Sequence, residues 1–287
     1  MTRWLEVGRL RESPEAQATP RRVTRAYRGR IRRGREGEPR HSGLLACSLA
    51  GLGLLLASLA SAGPPYVSDD PEPTDTGHYE IYLFGSAQGG AQGIERNYGV
   101  DFNYGAAENL QLTATLPFSR LGTTDDAHPA YGLGNVELAA KYRFLRQQAT
   151  GWDVAFFPRL FLPSPSARFG ERHASLLLPL WVEKDWDSGW STFGGGGCEW
   201  NRGGDSKDFC LAGWALARQL LPTLQLGVEL VHQTADTRGG RASTSAGVGI
   251  KYDLDDHLHV LAYVGPGLQN IAPNARYSWY SSVLITF

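Results

Sequence analysis

Tyr277-Ser278-Trp279-Tyr280-Ser281-Ser282-Val283-Leu284-Ile285-Thr286-Phe287 is the stretch whose reading decides the fold. Counted back by twos from Phe287, the residues Ile285, Val283, Ser281, Trp279 and Tyr277 form a mostly apolar set that a strand places on one face. In a soluble domain, an uncharged β-rich strand ending on Phe is an edge that invites pairing with other chains. In a transmembrane barrel the same strand closes against the first one and its aromatics sit in the interfacial girdle. A frayed final strand of a secreted β-sandwich is the alternative.

The rest of the chain repeats the pattern upstream. Tyr98, Val100, Phe102 and Tyr104 share one parity, against Glu95, Asn97, Gly99, Asp101 and Asn103. Leu110, Leu112, Ala114, Leu116 and Phe118 oppose Gln111, Thr113 and Thr115. Val136, Leu138, Ala140, Tyr142 and Phe144 oppose Glu137, Lys141 and Arg143, and Trp152, Val154, Phe156, Leu160 and Leu162 oppose Asp153 and Arg159. Leu224 to Leu230 and Ala246 to Tyr252 alternate in the same way around Gln225, Gly227, Glu229, Gly247, Gly249 and Lys251. This period of two predicts strands. Short breaks near 106–109, 147–151, 185–189, 219–222 and 254–256 alternate with longer ones near 88–93, 119–131, 163–173, 199–207, 233–242 and 266–275. Tight turns at one end and long loops at the other are the pattern of an outer-membrane barrel. The expectation is an all-β fold, a transmembrane antiparallel β-barrel of about twelve strands. They fall near 78–87, 94–105, 108–118, 133–146, 151–162, 174–185, 188–199, 208–219, 222–233, 242–253, 257–266 and 276–287.

Energy decides which face meets lipid. An Arg or Lys on the lipid face near mid-membrane costs about 2–4 kcal/mol, so Glu137, Lys141 and Arg143 turn inward or sit at a rim. A soluble sandwich would have the opposite arrangement, and parity alone does not separate the two. The membrane reading rests also on an export signal, the terminal Phe, and aromatics near strand ends such as Tyr104, Trp152, Trp190 and Tyr252. Arg96 shares parity with the apolar set, and its place beside the break at 88–93 puts it at the outer rim, within reach of lipopolysaccharide phosphates.

Charge is uneven along the 287 residues. Residues 1–41 hold twelve arginines against five glutamates, residues 42–62 hold none of either sign, and the remainder holds 16 Lys+Arg against 24 Asp+Glu. The acidic remainder excludes nucleic acid as a partner. Leu44 to Ala62 is apolar, follows Arg40, and ends Ala60-Ser61-Ala62 before Gly63, which is the layout of a secretory signal with cleavage near Ala62. An uncleaved inner-membrane anchor is the alternative. Residues 1–41 lack periodicity and are expected to be a disordered basic arm. Met1 is the sole methionine. A working hypothesis puts the true start later, at a non-AUG codon near Val23, and detection of residues 1–20 in the precursor would refute it. The segment 63–77, with Asp69-Asp70-Pro71-Glu72-Pro73, reads as a solvated periplasmic lead-in, with the barrel itself at 78–287.

Candidate sites follow from the inward parity. Asp101, Glu137, Lys141, Arg143, Arg159, Glu229 and Lys251 either line a solute path or pair into a network that plugs the lumen. The limited bore of a small barrel favours the network for most of them. Cys198 and Cys210 flank a loop between adjacent strands, and in an oxidising exterior they are expected to form a disulfide. Gly194 to Gly197 reads as a place where the wall bends or accepts an aromatic. His257 and His259 read as solvated turn residues, so no metal and no cofactor is expected. Ser191, Ser243, Ser245, His173 and His232 have no spacing that ties them into a nucleophile and base, so no catalytic residue is assigned. A lipid-modifying enzyme and a structural barrel with a filled lumen are the alternative functions.

Several motifs resemble those of a known family. Ser68-Asp69-Asp70-Pro71-Glu72-Pro73, Gly132-Leu133-Gly134-Asn135-Val136-Glu137, Gly213-Trp214-Ala215-Leu216-Ala217-Arg218-Gln219, His232-Gln233-Thr234-Ala235-Asp236-Thr237 and Gly267-Leu268-Gln269-Asn270 carry the likeness. It is to the outer-membrane transporter family named after the MetA pathway of phenol degradation, over roughly 66–287. The resemblance implies a barrel in the outer membrane of a Gram-negative bacterium and, by name, uptake of small organic molecules, aromatic compounds among them. It brings no agreed substrate residues, and the two cysteines are not part of its pattern. The ending on Phe287 also resembles the signal that the barrel-assembly machinery recognises, so that machinery, outer-membrane lipids and a small solute are the expected partners.

Overall fold

The computed structural model describes residues 65–90, 93–122, 130–165, 169, 172–202, 206–271 and 276–287. The basic arm at 1–41, the apolar segment at 42–62 and the cleavage point near Ala62 lie outside the described residues.

The strands are β1 (Tyr79–Gly90), β2 (Gly93–Ala107), β3 (Leu110–Gly122), β4 (Ala130–Leu133), β5 (Val136–Leu145), β6 (Asp153–Phe156), β7 (Arg159–Leu162), β8 (Ser175–Trp186), β9 (Trp190–Trp200), β10 (Phe209–Leu221), β11 (Leu224–Gln233), β12 (Ser243–Asp253), β13 (Leu258–Gln269) and β14 (Tyr277–Thr286). A single helical turn, α1 (Gln147–Thr150), follows β5. β4 with β5, and β6 with β7, are each one wall strand interrupted once, so the wall has twelve. The second interruption falls at Phe157-Pro158, where proline has no N–H to give to the ladder. All neighbours pair antiparallel, and β14 pairs with β1 from Thr286↔Glu80 to Tyr277↔Gly89, which closes the ring. Closure removes the edge that made the last strand implausible in a soluble domain.

Turn chemistry fixes the tight end. Asn109 (φ 63) lies in the turn between β2 and β3, and Gly151 and Gly189 (φ 84 and 77) turn the chain after α1 and after β8. Asn and Gly are the residues that take a left-handed conformation at least cost. At the opposite end one expectation fails. The break at 88–93 is short, because β1 runs on to Gly90 and pairs it with Gly93 at the start of β2.

Exposure follows parity. Val100, Leu116, Leu138, Val228, Val248 and Val264 face outward and are exposed, while Asn103, Gln111, Thr113, Glu137, Lys141 and Glu229 face inward and are buried. The inner face is not uniformly wet. Phe193, Ala215 and Ala217 form one buried apolar cluster there, and Tyr82, Leu261 and Leu284 form another.

Candidate functional site

The lumen is occupied by the chain's own segment 65–76. Expected as a solvated lead-in, it is instead mostly buried from Pro65 to Thr74, with Ser68 at 1% and Asp70 at 2% exposure, while Val67, Asp75 and Thr76 stay exposed. The physical reason is charge. An acidic, proline-rich run reads as solvated only when its neutralising partners are out of sight, and here they are on the inner wall.

The segment is fastened first to the β9–β13 arc. The Tyr66 ring meets Phe193 and Tyr263 edge to face, at centroid distances of 5.4 and 6.0 Å. It lies over Gly227 and Gly249, at both of which a Cβ would collide with the ring. Glycine is required there because an aromatic occupies the space a side chain would fill. The backbone N–H groups of Val67 and Ser68 donate to the two carboxylate oxygens of Glu229, at 3.1 and 2.6 Å. The Ser68 hydroxyl meets the bare Cα of Gly213 in the same way.

The segment then crosses to the β2–β5 arc. Lys141 Nζ donates to Asp69 Oδ1 at 2.9 Å, reaches Asp70 Oδ1 at 3.4 Å, and donates to the Glu72 carbonyl at 3.3 Å. Its ammonium also stands 5.0 Å from the centre of the Phe157 ring. Arg143 Nη1 lies between Glu72 Oε1 (3.6 Å) and Asp153 Oδ1 (3.5 Å). Gln111 Oε1 accepts from both the N–H and the hydroxyl of Thr74, at 2.8 and 3.0 Å, and its amide donates to Asn103 at 2.8 Å. Thr76 forms a parallel bridge with Gly105, whose carbonyl accepts from Gly77 N–H at 2.7 Å, and the chain then enters β1. Burial pushes the carboxyls of Asp70 and Glu72 above the usual range, against the opposing pull of Lys141 and Arg143.

The seven inward charges therefore divide. Lys141, Arg143 and Glu229 hold the segment. Glu137 and Arg159 pair across the wall at 2.8 Å, with the guanidinium 4.8 Å from the centre of the Phe157 ring. Asp101 faces inward opposite Tyr82 on β1 and Thr115 on β3, beside this pair in the ladder. Lys251 stands apart, opposite Gln225 and Leu261, and makes no ion pair among the described residues. Reasoning from wall parity missed Asp69, Asp70, Glu72, Asp153 and Glu183. The signal that could have found the first three is the match between an acidic run and inward cations, with glycines at inward positions 213, 227 and 249.

Space beside the segment is small. A cavity of about 30 Å³ lies among Asp69, Asp70, Glu80, Asp101, Lys141 and Phe157, room for about one or two waters. A wider recess of about 500 Å³ opens at the tight-turn end between Glu72, Asp75, Arg143 and Arg146.

The remaining candidates take no part in fastening the segment. Cys198 and Cys210 are directly opposite residues of β9 and β10, joined by a disulfide with Cα atoms 3.9 Å apart. In the glycine run beside them, Gly194 lies against the Trp214 ring and Gly195 takes φ 145 beside the Trp181 ring, so the run accepts aromatics on both faces of the wall. His259 Nδ1 meets Asp253 at 2.6 Å, and His257 Nδ1 meets the Thr286 carbonyl at 3.0 Å. His232 meets Thr244, and the Ser191 hydroxyl donates to Glu183.

Known structures share this fold. An outer membrane channel from Pseudomonas putida F1 aligns with a TM-score of 0.60 at 16% identity, over 75% of this chain and 99% of that one. A KdgM porin solved in complex with disordered oligogalacturonate aligns at 0.50 and 12% identity, over 72% and 99%. A NanC porin aligns at 0.52 and 10% identity, over 71% and 98%. Among curated proteins none matches the chain. The family described as "Putative MetA-pathway of phenol degradation" matches over residues 84–279, which is most of the barrel, and the chain belongs to that family.

Proposed function

We propose that this barrel is an uptake channel of the outer membrane for small organic solutes, held shut at rest by segment 65–76. The observation that carries the reading is how the segment is fastened. It is tied to two opposite arcs by ion pairs and hydrogen bonds rather than buried in a continuous apolar core, and such contacts exchange for water when the segment leaves. In this reading Lys141, Arg143 and Glu229 set the closed state, while Asp101, Glu137, Arg159 and Lys251 line the path that opens. Aromatic and hydrophobic compounds are the solute class suggested by the family's name. The chain reaches the outer membrane after leader cleavage near Ala62, with Phe287 as its contact for the assembly machinery and lipopolysaccharide around its outer rim.

The test is flux. Purified mature protein in liposomes is expected to admit small phenols, and a variant lacking 65–76 is expected to admit them faster and to show larger single-channel conductance. Absence of both flux and conductance from both proteins would overturn transport in favour of a structural barrel. Sequencing the amino terminus of the mature protein checks the cleavage point.

A further inference from the structure

Two cations on the outward face of the wall have no use in the lumen. Arg and Lys are rare on a lipid-facing surface because they cost about 2–4 kcal/mol at mid-membrane and about 0–1 kcal/mol near the interfaces. Among the described strands four point outward: Arg96 and Arg120 toward the long-loop end, and Lys184 and Arg218 toward the tight-turn end. Lys184 lies two residues before the end of β8, and Arg218 three before the end of β10.

Both are set on tryptophan. Lys184 Nζ stands 5.3 Å from the centre of the Trp152 ring and 5.9 Å from that of Trp186, and the Arg218 guanidinium stands 4.9 Å from the Trp190 ring. The ladder explains the grouping, since Trp186 pairs with Trp190 and Trp190 pairs with Arg218. Elsewhere at this end the outward aromatics are tyrosine or phenylalanine, among them Tyr79, Tyr104, Tyr142, Phe144, Tyr252 and Phe287. Tryptophans and cations share one arc. Neither cation has a carboxylate within ion-pair distance among the described residues. Strands about 4.8 Å apart and residues about 3.4 Å apart put the two Cα atoms roughly 12 Å from one another, a span that two long side chains close onto one headgroup.

We propose that Lys184 and Arg218, with Trp152, Trp186 and Trp190, form a binding site for an anionic glycerophospholipid of the inner leaflet of the outer membrane. The cations take the phosphate, and the indole rings lie along the glycerol and upper acyl chains, where amphipathic rings settle. Charge complementarity picks the occupant. A zwitterionic headgroup brings its own ammonium against Lys184 and Arg218, whereas a headgroup with net negative charge does not. The site depends on the outward face meeting lipid and is independent of whether the lumen conducts.

The test offers the full mature barrel equal amounts of phosphatidylglycerol and phosphatidylethanolamine in detergent micelles and counts retained lipids by native mass spectrometry. Phosphatidylglycerol is expected to be retained preferentially. The double variant Lys184→Gln with Arg218→Gln is expected to lose roughly ten- to thirtyfold of that preference, at the strength usual for two cations near a charged headgroup. Lys184→Arg with Arg218→Lys is expected to keep it, as is Arg96→Gln with Arg120→Gln at the other end. A readout on the unaltered protein needs no variant to fold: brominated phosphatidylglycerol should quench tryptophan fluorescence more than its brominated ethanolamine counterpart. Equal retention of the two lipids, an unchanged preference in the Gln variant, or displacement by equimolar glycerol phosphate would overturn the proposal, the last by making this a site for soluble anions.

Discussion

Glu229 holds two backbone N–H groups of a segment more than 160 residues away in sequence. A hydrogen bond to a charged acceptor is worth about 1.5–3 kcal/mol. Glu229→Gln removes the charge and one acceptor, and should raise hydrogen exchange at the Val67 and Ser68 amides roughly ten- to hundredfold while the wall amides stay protected. Lys141→Met leaves Asp69 and Asp70 without their cation in a buried place, where losing one partner of an ion pair costs about 3–5 kcal/mol. The expected outcome is release of the segment, read as larger conductance and faster proteolysis between 65 and 76, with the barrel still folded. pH acts through Asp70 and Glu72, whose carboxyls burial holds above their ordinary values of 3.8 and 4.5. A group whose folded value is raised takes up a proton on docking, so the docked state is favoured at low pH and weakens as pH rises through the raised value. Conductance should therefore fall as pH drops from neutral toward about 4.5, and Glu72→Gln should flatten part of that profile.

At the scale of elements, β11 and β12 use glycine as a mould. Gly227 and Gly249 are inward positions whose missing side chains are replaced by the Tyr66 ring. Gly249→Val should displace Tyr66 and loosen the segment without changing strand register, which tryptic release of the segment and an unaltered heat-stable band on a gel would together show. The pair β9 and β10 carries the only disulfide among the described residues, closing a sequence separation of 12. Loop-closure entropy gives such a bridge about 3 kcal/mol. Replacing both cysteines with Ser should lower the urea midpoint of the barrel and raise exchange at the long-loop end of β9 and β10, leaving the tight-turn end unchanged.

For the molecule as a whole, closure comes from the first and last strands. Their ladder is capped where Tyr79 and Phe287 exchange N–H to carbonyl bonds of 3.2 and 3.0 Å, and where His78 Nδ1 meets the Phe287 oxygen at 2.8 Å. Deleting Phe287 should slow refolding into lipid vesicles several-fold, measured by the appearance of the heat-modifiable band, while the final register remains.

The sequence by itself determined the wall. Alternation with a period of two put Tyr98, Val100 and Phe102 on one face and Glu137, Lys141 and Glu229 on the other, the export signal and the cost of a charge in lipid turned the first face outward, and the turn spacing set twelve strands and therefore a ring whose ends meet. These are local signals, each readable within a dozen residues, because pleat and turn geometry act over that range. Only the tertiary structure decided what fills the ring. The contacts of Glu229 with Val67 and Ser68, and of Lys141 with Asp69 and Asp70, join positions 71 to 162 apart in sequence, and no periodicity encodes a partner at that distance. An acidic, proline-rich run is the same string of letters whether water or a lysine neutralises it, and closing the barrel is what puts the lysine there.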